Sequence, residues 1–387
     1  MKKIQYLDGL RGLAAFVVVF HHFMLAFYPA LFAEPNAPNH LSDGIENFAS
    51  GSVFNLFYNG KFAVSIFFVL SGYVLTYKFF NIKDYSIIAA SATKRYMRLA
   101  LPAAFSVMLA FVLMKMSFFY NQQAALLSGS EWLGFFWNFT PNFFDALRQS
   151  FIGAFFSEDY DYNALLWTIS YEFIGSFLVF AFTALFGKNK NRLIFYLIAI
   201  LLFFQTYYLA FILGMLLSDL SAHKKLNLTQ IDTKKLLRFS LLIIGLFFGS
   251  IPSGRDLSGT IYSFFDITYL SDAAAFFHTI GAFMTMLVLL DSKRLQKFFS
   301  HKYLLFLGEI SFSLYLLHFI VIGTFSSFIF VKLYPLLPYH TAFLTMFGLS
   351  LPVIFLVSYG ATKYIDKHSM NASHLVYEKI FKPEETN

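Results

Sequence analysis

Arg11 and His22 stand eleven positions apart in Gly9–Phe23, a stretch whose other members, His21 apart, are apolar or small. At about 100° per residue, eleven positions are three turns plus roughly 20°, so a helix carries both on one face about 16 Å apart, while His21 points elsewhere. An ionisable group inside a bilayer pairs, lines a wet cavity or does work, so a guanidinium and an imidazole on one stripe are candidates for chemistry. The helical rise puts His22 near the middle of a ~30 Å hydrocarbon core and Glu172 at nearly the same depth. His318 falls nearer the outside and His278 nearer still. A carboxylate that orients a proton-exchanging imidazole makes an acid/base centre. Plainer roles stand beside this one: Arg11 as an interfacial anchor, His21 and His22 as packing residues, Glu172 as half of a structural pair, Arg95 and Arg98 as orientation charges. No His-Glu-x-x-His or comparable spacing occurs, so no metal is expected.

The elements that must position these residues are membrane helices. The 387 residues are 58% hydrophobic, 21% aromatic and 13% charged, with mean hydropathy +0.61, which excludes an ordinary soluble domain. Long apolar runs separated by short polar stretches predict an all-α polytopic bundle in the lipid bilayer, not a β-barrel. The net charge of +7 sits in basic clusters beside apolar runs, where it sets orientation, so nucleic acid is not an expected partner. The absence of cysteine excludes disulfides, thiolate metal sites and a cysteinyl acyl intermediate. The first apolar run starts only after Arg11 and is read as a retained span rather than a cleaved leader.

Ten helices are expected, near 12–30, 62–80, 99–120, 164–186, two short ones within 193–217, then 236–251, 273–290, 303–325 and 341–361. Lys188, Lys190 and Arg192 before the 193–217 segment, and Lys224, Lys225, Lys234, Lys235 and Arg238 after it, all require the cytoplasm. That segment therefore turns back on itself, near Gln205 and Thr206. Lys2, Lys3 and Arg11 put the N-terminus inside, and the count puts the C-terminus there too. Trp132–Phe139 and Phe151–Phe156, in a long external segment, are too short to span and are expected to be interfacial or re-entrant. Residues 1–387 form a single integral-membrane domain, its bundle at about 5–365 and a polar cytoplasmic tail at 366–387. In a bacterium this is a multi-pass protein of the cytoplasmic membrane.

Four blocks in order resemble acyltransferase family 3, membrane acyltransferases that modify sugars and other acceptors. They are Leu7-Asp-Gly-Leu-Arg-Gly12 followed by His22, Phe67-Phe-Val-Leu-Ser-Gly-Tyr73, Leu166-Trp-Thr-Ile-Ser-Tyr-Glu172, and Leu307-Gly-Glu-Ile-Ser-Phe-Ser-Leu-Tyr-Leu-Leu-His318. The first resembles the family's Arg-x10-His signature and selects His22 over His21. Ser65 departs from the pattern, standing where many members have aspartate. Pro102 lies one residue later than in the commonest form of the basic motif Lys94–Pro102. The resemblance implies a cytoplasmic acyl-CoA donor, such as acetyl-CoA, and a carbohydrate or other hydroxyl acceptor outside, with no permanently bound cofactor. By this reading His22, Arg11 and Glu172 are catalytic and His22 acts as base or acyl carrier. Arg95 and Arg98 hold CoA phosphates, and Ser71, Tyr73, Trp167, Tyr315 and His318 face substrate. Arg11, Tyr73 or a backbone amide are the candidates for stabilising the oxyanion. The competing class is a proton-coupled carrier, because transporters also place ionisable groups and broken helices at mid-depth.

Overall fold

The computed structural model describes residues 4–41, 44–223, 233–267 and 269–381. Lys2, Lys3, Lys224, Lys225 and residues 382–387, which carry part of the orientation argument, lie outside them. The described chain is helical, with no strand. Its bundle is built from α1 (Gln5–Phe27), α2 (Gly60–Ile82), α3 (Ser86–Lys115), α4 (Trp167–Phe186), α5 (Arg192–Phe203), α6 (Tyr208–Ala222), α7 (Thr233–Gly249), α8 (Ala273–Asp291), α9 (Lys302–Val321) and α10 (Tyr339–Ala361). Among the described residues, seven helices are long and apolar enough to cross a membrane, and α5, α6 and α7 are shorter than these. This is a multi-pass membrane protein.

Small residues set which helices meet. A Cβ added at Gly12 of α1 would collide with the backbone of α9 around Gly308, and one added at Gly308 would collide with the backbone at Asp8. The same reciprocity links Gly72 of α2 with Phe211 of α6, and Gly214 with Val69, so the Ser71-Gly72 pair does let two helices approach closely. Because α1 lies against α9 along this seam, the histidines of the first and last sequence blocks are brought to one level.

The turn between the two short helices falls at Phe204–Tyr207, where expected. It is held by Gln205, which donates from Nε2 to Tyr269 O (3.4 Å) and accepts from Ser271 N (3.3 Å). At ~1.5 Å per residue α5 is about 18 Å long, too short for a full crossing. At the far end Arg192 closes the pair on the nearly buried Asp219 with two bonds, 2.5 and 2.9 Å.

Three expectations need correction, the first being that α3 starts at Ser86 rather than near 99, so that the basic residues Lys94, Arg95 and Arg98 lie within it. The first helix begins at Gln5 rather than near 12, because Arg11 is accommodated inside it by Asp8 one turn earlier. The 366–387 segment is not a free tail in its described part: after a wide turn at Thr362–Asp366 the chain continues as a helix, Lys367–Phe381. Ser369 Oγ is 3.0 Å from both Met97 O and Arg98 O, and the Lys94 ammonium lies 4.5 Å from the Tyr377 ring centroid. An apolar window was too coarse to see this helix because its polar face dominates the composition. At the opposite end Asn121–Ser128, Glu131–Phe135 and Phe143–Arg148 are short helices, as their length required.

Candidate active site

The seam between α1 and α9 ends in a pair of imidazoles. His318 Nδ1 is 2.8 Å from Leu314 O one turn back, and a carbonyl can only accept, so Nδ1 carries the proton and Nε2 holds a lone pair. His22 Nδ1 is 2.9 Å from Val18 O and 3.0 Å from that Nε2, so its proton is shared between two acceptors. His22 Nε2 is thereby left as a free base. His318 is fully buried and His22 retains some accessible surface.

Over His22 lies Trp132, stacked at 5.5 Å between ring centroids and 25° between planes. Its backbone N–H donates to Glu34 Oε1 at 2.9 Å, so a carboxylate from the connector after α1 holds the helix that carries the indole. Burial pushes the Glu34 carboxyl up from its ordinary range. Sequence reasoning missed this partner: a lone tryptophan in a run too short to span carries no signal that it re-enters the bundle over a histidine.

On the side of the N-terminus of α1, a cavity of about 220 Å³ opens between α1, α2, α3, α4 and α9. Arg11, Ser71, Arg95, Arg98, Glu172 and Tyr315 all line it, as do two acids that went unremarked, Glu309 and Asp366. Asp366 was hidden because its segment reads as a tail. Three of its six charged residues, Arg11, Arg95 and Glu172, are paired at hydrogen-bonding distance. Arg95 donates through Nη2 to Glu172 and through Nε to Ser176 Oγ (2.7 Å), while Ser71 Oγ donates to the same Glu172 oxygen at 2.7 Å. Arg11 donates to Asp8 (2.9 Å) and to Gly308 O (3.3 Å). Arg98 is exposed and its guanidinium makes no hydrogen bond or close ion pair among the described residues.

The expected meeting of His22 with Glu172 is therefore not what the fold builds. Glu172 is bound by Arg95 and Ser71, His22 by Val18 and His318, and among the described residues they share no hydrogen bond. Glu172 lies with Arg11 on the first cavity, which His22 does not line, and the rise along one helix does not fix the azimuth of another. Arg95 is likewise half engaged already, leaving Arg98 as the free cation of the basic motif. Three residues expected to face substrate do not line this cavity: Tyr73 is buried and stacked on Tyr77 (5.3 Å), Trp167 packs on Tyr207 (5.5 Å) and Tyr171 (5.8 Å), and His318 is buried against His22. Tyr315 does line it. Its hydroxyl is 2.9 Å from Thr168 Oγ1, and its ring is 6.2 Å from His318.

His21 faces a second cavity, of about 170 Å³, at the opposite end of α1. Its Nδ1 lies 2.8 Å from Tyr58 O and 3.2 Å from Gly60 N, and its ring is 5.0 Å from His22. A file of polar rings, Tyr315, His318, His22 and His21, thus runs from one cavity to the other. His278, also considered above, is buried beside Asn59 behind that second cavity.

Two cavities divided by a neutral imidazole with a free lone pair suit transfer of a group between molecules that enter from opposite ends. Comparison with known proteins decides the class: the family described as an acyltransferase domain, acyltransferase family 3, matches residues 4–359. The chain belongs to this family. Group transfer, not proton-coupled transport, is the activity of this acyltransferase. The O-acetyltransferase PaAT-1 of Phomopsis amygdali is 25% identical over 438 residues, covering 98% of this chain and 86% of the relative. No solved structure matches.

Proposed function

We propose that this acyltransferase moves an acetyl group from acetyl-CoA, entering at the cytoplasmic end where α1 begins, to a hydroxyl of a carbohydrate or similar acceptor entering from the opposite face. The similarity to an O-acetyltransferase supports the acetyl group and the oxygen acceptor. The basic residues around the first cavity support the donor's side, with Arg98 free to meet phosphate and Arg11 deeper on the path.

The observation that carries the mechanism is the tautomer of His22. With Nδ1–H held by Val18 O and His318, Nε2 removes the acceptor hydroxyl proton as the oxygen attacks the thioester carbonyl carbon. The tetrahedral intermediate collapses with cleavage of the C–S bond, and the CoA thiolate takes the proton back from His22. An ester and a free thiol result. The imidazolium formed in between is stabilised by donating to the lone pair of His318, which is the orienting group expected of Glu172. Arg95 and Glu172 brace α2, α3 and α4 around the donor.

The test is release of CoA thiol by purified protein in detergent, supplied with acetyl-CoA and a sugar. The chain has no cysteine, so a thiol reagent reads the product alone. Release by wild type and none by folded His22→Ala is expected; equal release by both would remove His22 from the chemistry.

A further inference from the structure

The second cavity differs in kind from the first, because among the described residues the cations on its wall form no ion pair at hydrogen-bonding distance. Lys61, in the first turn of α2, and Arg255, just beyond α7, both line it, and no aspartate or glutamate does. Among the described residues the Lys61 ammonium makes no hydrogen bond or ion pair. Arg255 donates to Ser50 Oγ and to Asp256 O (3.2 Å), which leaves guanidinium N–H groups unused.

The two asparagines on the wall are already engaged. Asn59 Nδ2 donates to Gly249 O (2.9 Å) and Ile251 O (3.0 Å), its Oδ1 accepts from Phe62 N (3.1 Å), and Asn55 Nδ2 donates to Ser250 O (3.0 Å). These bonds pin the end of α7 to α2 and make the wall rigid. What remains for a ligand is the Lys61 ammonium, the rest of Arg255, the Nε2 of His21 and the Ser253 hydroxyl, whose oxygen is buried without a hydrogen-bond partner.

We infer that this cavity is the acceptor site and that it selects a hydroxyl compound bearing an anionic group, a carboxylate or a phosphate. The inference rests on the acyl-transfer reading above and adds the acceptor's charge. The anion sits between Lys61 and Arg255. The reacting hydroxyl points along the ring of His21 toward His22, whose centroid is 5.0 Å further in. Neutral sugars lack the charge-assisted bonds and leave two cations facing only water.

Binding is measured by calorimetry on the purified full-length protein with matched probes: glucose, glucuronate and glucose 6-phosphate. The two anionic sugars should bind at least about tenfold more tightly than glucose, and Lys61→Gln with Arg255→Gln should erase that difference. Lys61→Gln alone covers the case in which loss of the Arg255–Ser50 bond disturbs folding. Protection of each variant by acetyl-CoA against thermal unfolding should stay unchanged, which shows that the fold and the donor site survive. Equal binding of all three sugars, or a preference that persists in Lys61→Gln, would overturn the inference. Repeating the titration in phosphatidylglycerol and in phosphatidylcholine nanodiscs separates the sources. Competition by phosphatidylglycerol assigns the site to a lipid-linked phosphate, and no competition to a soluble acid; both keep the anionic site. Because binding does not need turnover, failure to release CoA with any acceptor would sink the acyl-transfer reading while the charge preference is judged by itself.

Discussion

The two cavities of this acyltransferase solve the problem of charge near a membrane in opposite ways. In the one beside the start of α1, two of the three arginines meet carboxylates at hydrogen-bonding distance, Arg95 with Glu172 and Arg11 with Asp8, and only Arg98 is left without such a partner among the described residues. In the other, Lys61 and Arg255 face an opening with no acid on its wall. Paired charges hold helices together and shape a space, whereas unpaired charges wait for a ligand. The first cavity should therefore respond to mutation mainly through architecture and the second mainly through affinity, with the histidine pair between them governing rate alone.

The sharpest way to break that division is His22→Ala. Loss of a positioned base costs ~10²–10⁴-fold in turnover, while the seam of Gly12 and Gly308 that holds α1 to α9 is untouched. Turnover should fall within that range with the melting temperature nearly unchanged. Next comes the ion pair. Glu172→Ala leaves the buried Arg95 guanidinium uncompensated, a change that costs about 3–5 kcal/mol in a buried pair, so thermal stability and activity should fall together. The Arg95→Ala, Glu172→Ala double variant should be less destabilised than the sum of the singles; additive losses would mean that the pair is not coupled.

His21→Ala sharpens the contrast from the other side. Removing a ring that lines only the second cavity should raise the acceptor KM several-fold and leave the acetyl-CoA KM unchanged. A donor effect would show that the cavities are not separate.

The smallest effect is expected at Glu34. Glu34→Ala frees the helix that carries Trp132 and should lower turnover a few-fold, whereas Glu34→Gln keeps an oxygen acceptor for Trp132 N–H and should stay near wild type. The pH dependence has a definite sign. Burial raises the folded pKa of Glu34, so the folded form binds a proton more readily than the unfolded chain. Its contribution is full below the unfolded pKa and is lost as pH rises through the folded value. Glu34→Gln should remove that decline, making the variant at least as heat-stable as wild type at neutral pH.

The same contrast explains what could be read in the sequence. Helices with few polar residues show their borders directly, and the limits of α4 and α8 fall within three residues of those expected. Part of the first cavity was legible because Arg11, Ser71, Glu172 and Tyr315 sit in short blocks whose spacing survives within one helix. Pairings between helices were not legible. His22 meets His318 along the Gly12–Gly308 seam and Glu172 meets Arg95 across α3 and α4, and the sequence of one helix carries no information on the azimuth of another. The second cavity was invisible for a further reason: Lys61 and Arg255 lie at helix ends 194 positions apart, and each alone reads as an ordinary orientation charge.

The most direct test of the division is a structure determined with a non-hydrolysable acetyl-CoA analogue. The expected density has its phosphates at Arg98 and its acyl end reaching past Tyr315 toward His318 and His22, with the cavity of Lys61 and Arg255 still open. Nucleotide density seated between Lys61 and Arg255 would contradict it.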